Sequence, residues 1–400
     1  MSTESPTPHR VLVAGGGVAG LEALLALHDL AAGRVALTLL TPERRFTYRP
    51  MAVAVPFGRG RMQRHDLLDF ARHVGAELVR GELAEVDVNG SAALTADGRR
   101  IPFDSLLVAV GAGSAPALSR VRTWTPELDA EVFGGLLADL EEGYAKRVAF
   151  VVPSGTAWPL PAYELALMTA WDARDMGQDD VEVTVYTPEA APLDVFGTEA
   201  SAALSADLEE SGVGVVTGVV VEEDPEAPAR LIAQPGDRRL DSQRVIALPR
   251  AVARGVGGLP VDERGFIRTD EHGLVEGTGT VWAAGDAISY PIKQGGLAAQ
   301  QADAAAESIA AAAGAGVDPQ PFRPVLRGVL LTGRGRSWIR RDLGDGAEGE
   351  AQRHALWWPP TKIAGRYLAP YLASLDEADW TDADRPDGRL VEFTPEGHGR

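Results

Sequence analysis

Four glycines fall within six residues near the start of the chain, between an apolar run and a stretch rich in alanine and leucine: residues 11–27 read VLVAGGGVAGLEALLAL. A β-branched run can enter such a cluster as a strand and the Ala/Leu run can leave it as a helix, provided the backbone between them turns sharply. Gly15 allows the tight turn, Gly17 lets the backbone approach an anion, and Gly20 lets helix and strand pack closely. With Ala19, these are the candidate cofactor-binding residues at a helix N-terminus aimed at a pyrophosphate. A second strand, VALTLLT at residues 35–41, completes a βαβ unit. An acid for ribose hydroxyls is expected at its end, where Thr41-Pro42-Glu43 stands. Either Glu43 acts from two residues further on, or Thr41 substitutes with a weaker hydrogen bond; both are candidates.

Composition narrows the chemistry. Among 400 residues there is no cysteine, which removes disulfides, cysteine zinc sites, iron–sulfur clusters and thiolate nucleophiles. Any redox work therefore needs a borrowed cofactor. The formal charge of −19 repels phosphate backbones and anionic lipid headgroups, so nucleic acid is not an expected partner. The polar start, MSTESPTPHR, does not read as a signal peptide, and no run of 18 uncharged apolar residues occurs. The expected location is cytoplasmic, with a peripheral contact at the inner face of the membrane left open. The histidines show no metal-ligand spacing and no GxSxG elbow occurs, so no metal site is expected.

Two later segments extend the first pattern. SLLVAVGA, residues 105–112, is a buried-type strand running into Gly111, and TVWAAGDAISYP, residues 280–291, is a strand ending in Gly285-Asp286. An aspartate placed there can hold a ribityl or ribose hydroxyl while neighbouring amides face phosphate. In this order the three segments resemble the FAD-binding domain of the pyridine nucleotide-disulfide oxidoreductase superfamily, which includes sulfide:quinone oxidoreductases, flavocytochrome c sulfide dehydrogenases and type II NADH dehydrogenases. The resemblance implies an α/β fold with two Rossmann-like dinucleotide-binding domains and a small C-terminal α+β interface domain. It places an FAD-binding part at 1–115, a second, NAD(P)-like domain at 116–255, the rest of the FAD domain at 256–318 and the interface domain at 319–400. FAD is the implied cofactor, with NAD(P)H open as a second.

The second unit repeats the scheme with a changed turn. RVAFVV at 147–152 and VEVTVYTPE at 181–189 read as strands flanking the helix PAYELALMTAWDA, and Thr187-Pro188-Glu189 echoes Thr41-Pro42-Glu43. The turn, VPSGTAWPLPAYE, holds one glycine and three prolines, and proline has no amide to offer a phosphate. It is similar to the Cys-Pro-x-x-Pro-Tyr-Glu-like turn of the sulfide-oxidising members, with Trp158 at the cysteine position. Pro291-Ile292-Lys293-Gln294-Gly295 matches their Pro-x-Lys motif at Lys293 and departs at Gln294. The absence of cysteine excludes their persulfide chemistry. The resemblance points Glu164 at the flavin as a proton relay, against a solvated glutamate stabilising its helix; it points Lys293 and Gly295 at the pyrimidine end of the flavin, against a surface lysine in a loop.

Beyond residue 318, PVLRGVLLTGRGRSWIRRDLG reads as two short strands, and Trp357, Trp358, Tyr367, Leu368 and Tyr371 form an aromatic and apolar cluster. The cluster reads as a quinone slot or membrane-facing belt, or else as packed core or a dimer contact. Asp376 to Asp387 is strongly acidic, and the chain from about Asp382 reads as a flexible polar tail. The functional expectation is an FAD-dependent oxidoreductase passing electrons from NAD(P)H or a small-molecule donor to a quinone-like acceptor. The alternative is an FAD-binding accessory or scaffold protein without turnover, and a homodimer stays open.

Overall fold

Continuous apolar runs such as VLVA and SLLV suit strands covered on both faces, as parallel sheets require. The computed structural model, which describes residues 7–126, 129–227, 230–344, 346–375 and 391–392, builds two such sheets. The first has the order Val281–Ala283, Ser105–Val108, His9–Ala14, Val35–Thr41, Glu77–Arg80, every pair parallel. Its central strand leads into the helix Val18–Leu30, which packs on the helix Gly295–Ala312 from much later in the chain. The second sheet runs Arg122–Thr123, Arg244–Ala247, Arg147–Val151, Glu182–Tyr186, Val213–Val216, again all parallel. The chain passes between the two units through Ala112–Ala115 and back through Arg250–Ala253, paired antiparallel.

The C-terminal region adds an antiparallel sheet of Val325–Leu331, Arg336–Asp342 and Glu350–Gln352. Its inner residues join one core with the helix Leu160–Asp175 of the second unit; Leu326, Val329, Leu330, Trp338 and Trp357 pack with Leu160, Tyr163 and Leu167. Trp338 and Trp357 meet edge to face at 4.7 Å between ring centres. Trp357, Tyr367 and Leu368 are buried, so these three belong to the interior and form no exposed belt. The acidic run Asp376–Asp387 lies outside the described residues, as does the tail from about Asp382 except Val391–Glu392, which pairs with Trp357–Trp358. Among the described residues no helix is long and apolar enough to cross a membrane.

Gly15 and Gly20 fix the first turn by contact. Gly15 has φ +125°, and a Cβ there would stand 2.1 Å from the Ala109 carbonyl oxygen; at Gly20 a Cβ would stand 1.9 Å from the Gly15 oxygen. Neither neighbour is a flexible side-chain tip, so the backbone itself would have to move. Gly20→Ala is expected to destabilise the protein by about 3 kcal/mol, at the upper end of overpacking costs. A urea midpoint unchanged from wild type would contradict this packing account.

Candidate active site

The carboxyl ends of all five strands of the first sheet open into one cavity of about 630 Å³, a size usual for small-molecule and cofactor sites. Gly15–Ala19, Glu43, Gly81–Leu83, Ala109–Gly113 and Ala284–Asp286 follow the strand ends and line it. The second unit contributes Thr156–Trp158, Leu160, Pro161 and Leu248–Arg250, and the C-terminal region contributes Arg327–Val329, Lys362 and Ile363. At Gly17, the residue preceding the helix Val18–Leu30, a Cβ would meet nothing within 4 Å, so this glycine leaves open space at the helix N-terminus. Gly111, with φ +72°, is likewise open. Gly285 instead sits 3.0 Å, measured from where its Cβ would be, from the Ala19 methyl, so these two pack one strand end against the other.

Thr41 and Glu43 divide their roles. Thr41 is fully buried and does not line the cavity; its hydroxyl donates to Glu43 Oε2 at 2.6 Å. The Thr41 hydroxyl is thus engaged with Glu43, which reaches the wall. Gly20 is likewise a packing residue, set against the Gly15 carbonyl.

Glu164 is not a solvated helix-end glutamate. It is 1% exposed, and its Oε1 accepts from the Leu331 amide at 3.0 Å and from Lys362 Nζ at 2.6 Å. Burial pushes the Glu164 carboxyl up and the Lys362 ammonium down, while each charge partly restores the other. Both side chains line the cavity. Lys362 was not marked by any sequence motif; it lies 198 residues from its partner, and only a buried carboxylate's need for a cation could have pointed to it.

Lys293 is no surface lysine. Its Nζ donates to the Ile288 carbonyl and lies 4.0 Å from the centre of the Phe266 ring, and burial lowers its pKa to about 8 although Asp286 opposes the shift. Asp286, at the same wall, is raised by burial and held down by Lys293 and Arg49. Gln294, the departure from the motif, caps the next helix: its Oε1 accepts from the Leu297 amide at 2.8 Å and its Nε2 donates to the Arg327 carbonyl at 3.0 Å. Gly295 begins that helix at the cavity wall, where a Cβ would stand 2.9 Å from the Ile363 side chain.

The altered turn of the second unit has different contents. Pro159 and Pro161 flank the first residue of the helix Leu160–Asp175, and the Ala162 amide is taken by the Pro159 carbonyl. Thr187 repeats Thr41 by donating to Glu189 Oε2 at 2.8 Å, but here Tyr163 donates to the same oxygen at 2.6 Å. Burial raises Glu189 to about 7. Trp158 lines the main cavity and meets Phe196 edge to face at 5.8 Å. Among the described residues no cluster of three or more His, Asp or Glu could hold a metal ion.

Two parallel-sheet units with a shared cavity at the strand ends of the first, closed by a C-terminal sheet, define a paired Rossmann-like architecture. Residues 162–312 match the sequence model of the family Pyridine nucleotide-disulphide oxidoreductase. The sulfide:quinone oxidoreductase of the hyperthermophilic bacterium Aquifex aeolicus superposes with a TM-score of 0.76 at 17% identity, covering 86% of this chain and 87% of that one. A NAD-dependent persulfide reductase from A. fulgidus gives 0.60 at 18% identity, covering 83% and 64%. NDH2 from Plasmodium falciparum gives 0.54 at 15% identity, covering 70% and 64%, so the chain spans about two thirds of these last two proteins. No curated protein matches by sequence. The chain, which holds no cysteine, thus shares its fold with these proteins and matches the pyridine nucleotide-disulphide oxidoreductase sequence model over residues 162–312.

Removing one partner of a buried pair strands the other, at a cost of about 3–5 kcal/mol. Lys362→Met is expected to lose that much stability in chemical denaturation, and Lys362→Met combined with Glu164→Gln to recover most of it. Equal, additive losses would show that the two groups do not act as a pair.

Proposed function

We propose that this chain is an FAD-dependent oxidoreductase taking electrons from a small-molecule reductant, not from NAD(P)H, and delivering them to a quinone-like acceptor. The observation that carries the reading is the single cavity into which five strand ends, the open Gly17 backbone and Glu43 converge. These residues fit FAD: Gly17 and the helix N-terminus for the pyrophosphate, Glu43 oriented by Thr41 for the adenosine ribose, Asp286 for the ribityl chain, and Lys293 with Gly295 at the pyrimidine end. Bound there, FAD supplies reversible two-electron redox chemistry that no side chain of this protein offers.

The case against a nicotinamide donor lies in the second unit. Prolines occupy the turn that would cradle its phosphates, and the acid that would hold its ribose is occupied by Tyr163 and Thr187. The equivalent acid of the first unit, Glu43, faces the cavity. Trp158 lines the position where sulfide-oxidising relatives carry a thiol, and with no cysteine in the chain a persulfide route is closed. Leu160, Val329 and Ile363 give the same region an apolar wall, which supports a quinone-like acceptor, as does the resemblance in fold to a sulfide:quinone oxidoreductase. Within that wall Glu164 and Lys362 hold one proton between them, since burial has drawn their affinities together, and can pass it to a reduced acceptor or take it from a donor.

The purified protein is expected to be yellow, and Gly17→Ala and Asp286→Ala to lose FAD while melting within a few degrees of wild-type apoprotein. A colourless protein that takes up no FAD would refute the cofactor assignment. Mixed anaerobically with NADH, NADPH and a panel of small reductants, the flavin is expected to stay oxidised with the nucleotides, to bleach with a small reductant, and to reoxidise with a soluble quinone. Rapid bleaching by NADH would overturn the donor assignment. Bleaching by no donor at all would favour an accessory, non-catalytic FAD protein.

A further inference from the structure

The segment that carries Lys362 into the cavity is tied down by a group that does not itself line the cavity. Glu22, in the helix Val18–Leu30, is completely buried, and its two oxygens accept from consecutive amides, Tyr367 at 2.7 Å and Leu368 at 2.8 Å. Gly365 passes so closely that a Cβ would stand 2.4 Å from Glu22 Oε2. A third element closes the arrangement: the carboxyl of Asp303, in the helix Gly295–Ala312, lies against that of Glu22. Asp303 Oδ1 is buried with no N–H or O–H donor facing it in the structure. Two carboxyl groups meeting at a site with so little access to water favour a proton between them.

We propose that Glu22 and Asp303 share one proton and form a clamp on the segment Lys362–Leu368, so that they act as positioning residues for Lys362 against Glu164. Asp303 is the donor and Glu22 the acceptor, because Glu22 already accepts two amides that favour its charged form. The role of Lys362 in proton transfer rests on the function proposed above; the clamp itself does not. The other charged or titratable groups facing the pair are Glu307 on the Asp303 helix and Arg366 and Tyr367 on the docked segment, while Asp29 on the Glu22 helix acts on Tyr367. Arg366 lies 3.5 Å from Glu307 Oε1 and its guanidinium 5.3 Å from the centre of the Tyr367 ring, so the nearby cation is shared among several acids.

Burial raises Glu22 to about 7, and burial together with the Glu22 charge raises Asp303 well above its usual range. The docked pair therefore binds more protons than an undocked, hydrated pair. Docking is strongest in acid and is lost as pH rises through 7 and beyond, by as much as tenfold in the opening equilibrium per pH unit for each proton released. Because Lys362 leaves with the segment, its own exposure should follow the same curve.

Hydrogen exchange of peptides spanning 361–375 in the full-length protein as purified, expressed as protection factors between pH 6 and pH 9, tests this. Protection in wild type is expected to fall by about tenfold per pH unit over part of that range. Asp303→Asn, which keeps a donor to Glu22 but cannot titrate, is expected to flatten the slope, and Glu22→Gln to lower protection at every pH. Acylation of Lys362, followed by mass spectrometry, is expected to rise with the loss of protection in wild type and to lag in Asp303→Asn at pH 9. A flat wild-type profile, equal slopes in wild type and Asp303→Asn, or Lys362 labelling indifferent to the Asp303 substitution would each overturn the proposal. None of these readouts requires turnover, so they separate failure of the clamp from failure of the redox assignment.

Discussion

The contact between Glu164 and Lys362 is the one on which the rest of the site depends. An isolated ammonium or carboxylate at that depth would be neutralised, so the pair stands only while the second unit and the C-terminal region are held together. The surroundings serve that end. The Leu331 amide supplies a further donor to Glu164, and the Tyr48 hydroxyl accepts from the Ile363 amide at 3.0 Å, bringing in the first unit one residue after Lys362. Three parts of the chain thus converge on a few side chains at one wall of the cavity.

The two βαβ units show how one local sequence serves two ends. Thr-Pro-Glu closes the second strand of each, and in each the threonine hydroxyl donates to the glutamate two residues on. The motif is self-contained, since its geometry needs only the turn it sits in. What differs comes from elsewhere: Tyr163 reaches Glu189, whereas Glu43 is left toward the cavity. A nucleotide ribose entering the second unit would have to displace a buried phenol from a half-buried carboxyl. The proline turn and the tyrosine therefore support the same conclusion independently.

Those parts of the site that depend on neighbours in sequence were legible there. The glycine turn, the strand-Gly-Asp segment and the order of the two units follow from residue spacing, because a tight turn between strand and helix admits few residue types. Parts that depend on long-range contact were not. Lys362 sits in WWPPTKIAGRY with nothing to distinguish it from a surface lysine, and its meaning comes from a glutamate 198 residues away. Glu22 was visible only as a charge interrupting an apolar helix. The amides that justify its burial lie 345 and 346 positions further on. Thr41 was ambiguous for the opposite reason: two polar side chains within three residues can each bind ligand or bind one another, and spacing alone does not choose.

Charge distribution connects the composition to the site. A chain of net charge −19 would be expected to surround any cavity with acid. The lining instead holds seven cations, Arg45, Arg49, Arg250, Arg254, Arg327, Lys293 and Lys362, against four acids, Glu43, Glu82, Glu164 and Asp286. An excess of that sign suits a ligand with two phosphate charges and an electron-rich ring that becomes anionic on reduction. The acidic remainder of the surface sharpens the contrast, because a field that repels anions elsewhere leaves this opening as the favoured place for one. Cysteine, which could have offered a redox group of its own, is absent throughout, so the positive cavity and the anionic cofactor it suits must account together for any electron transfer the protein performs.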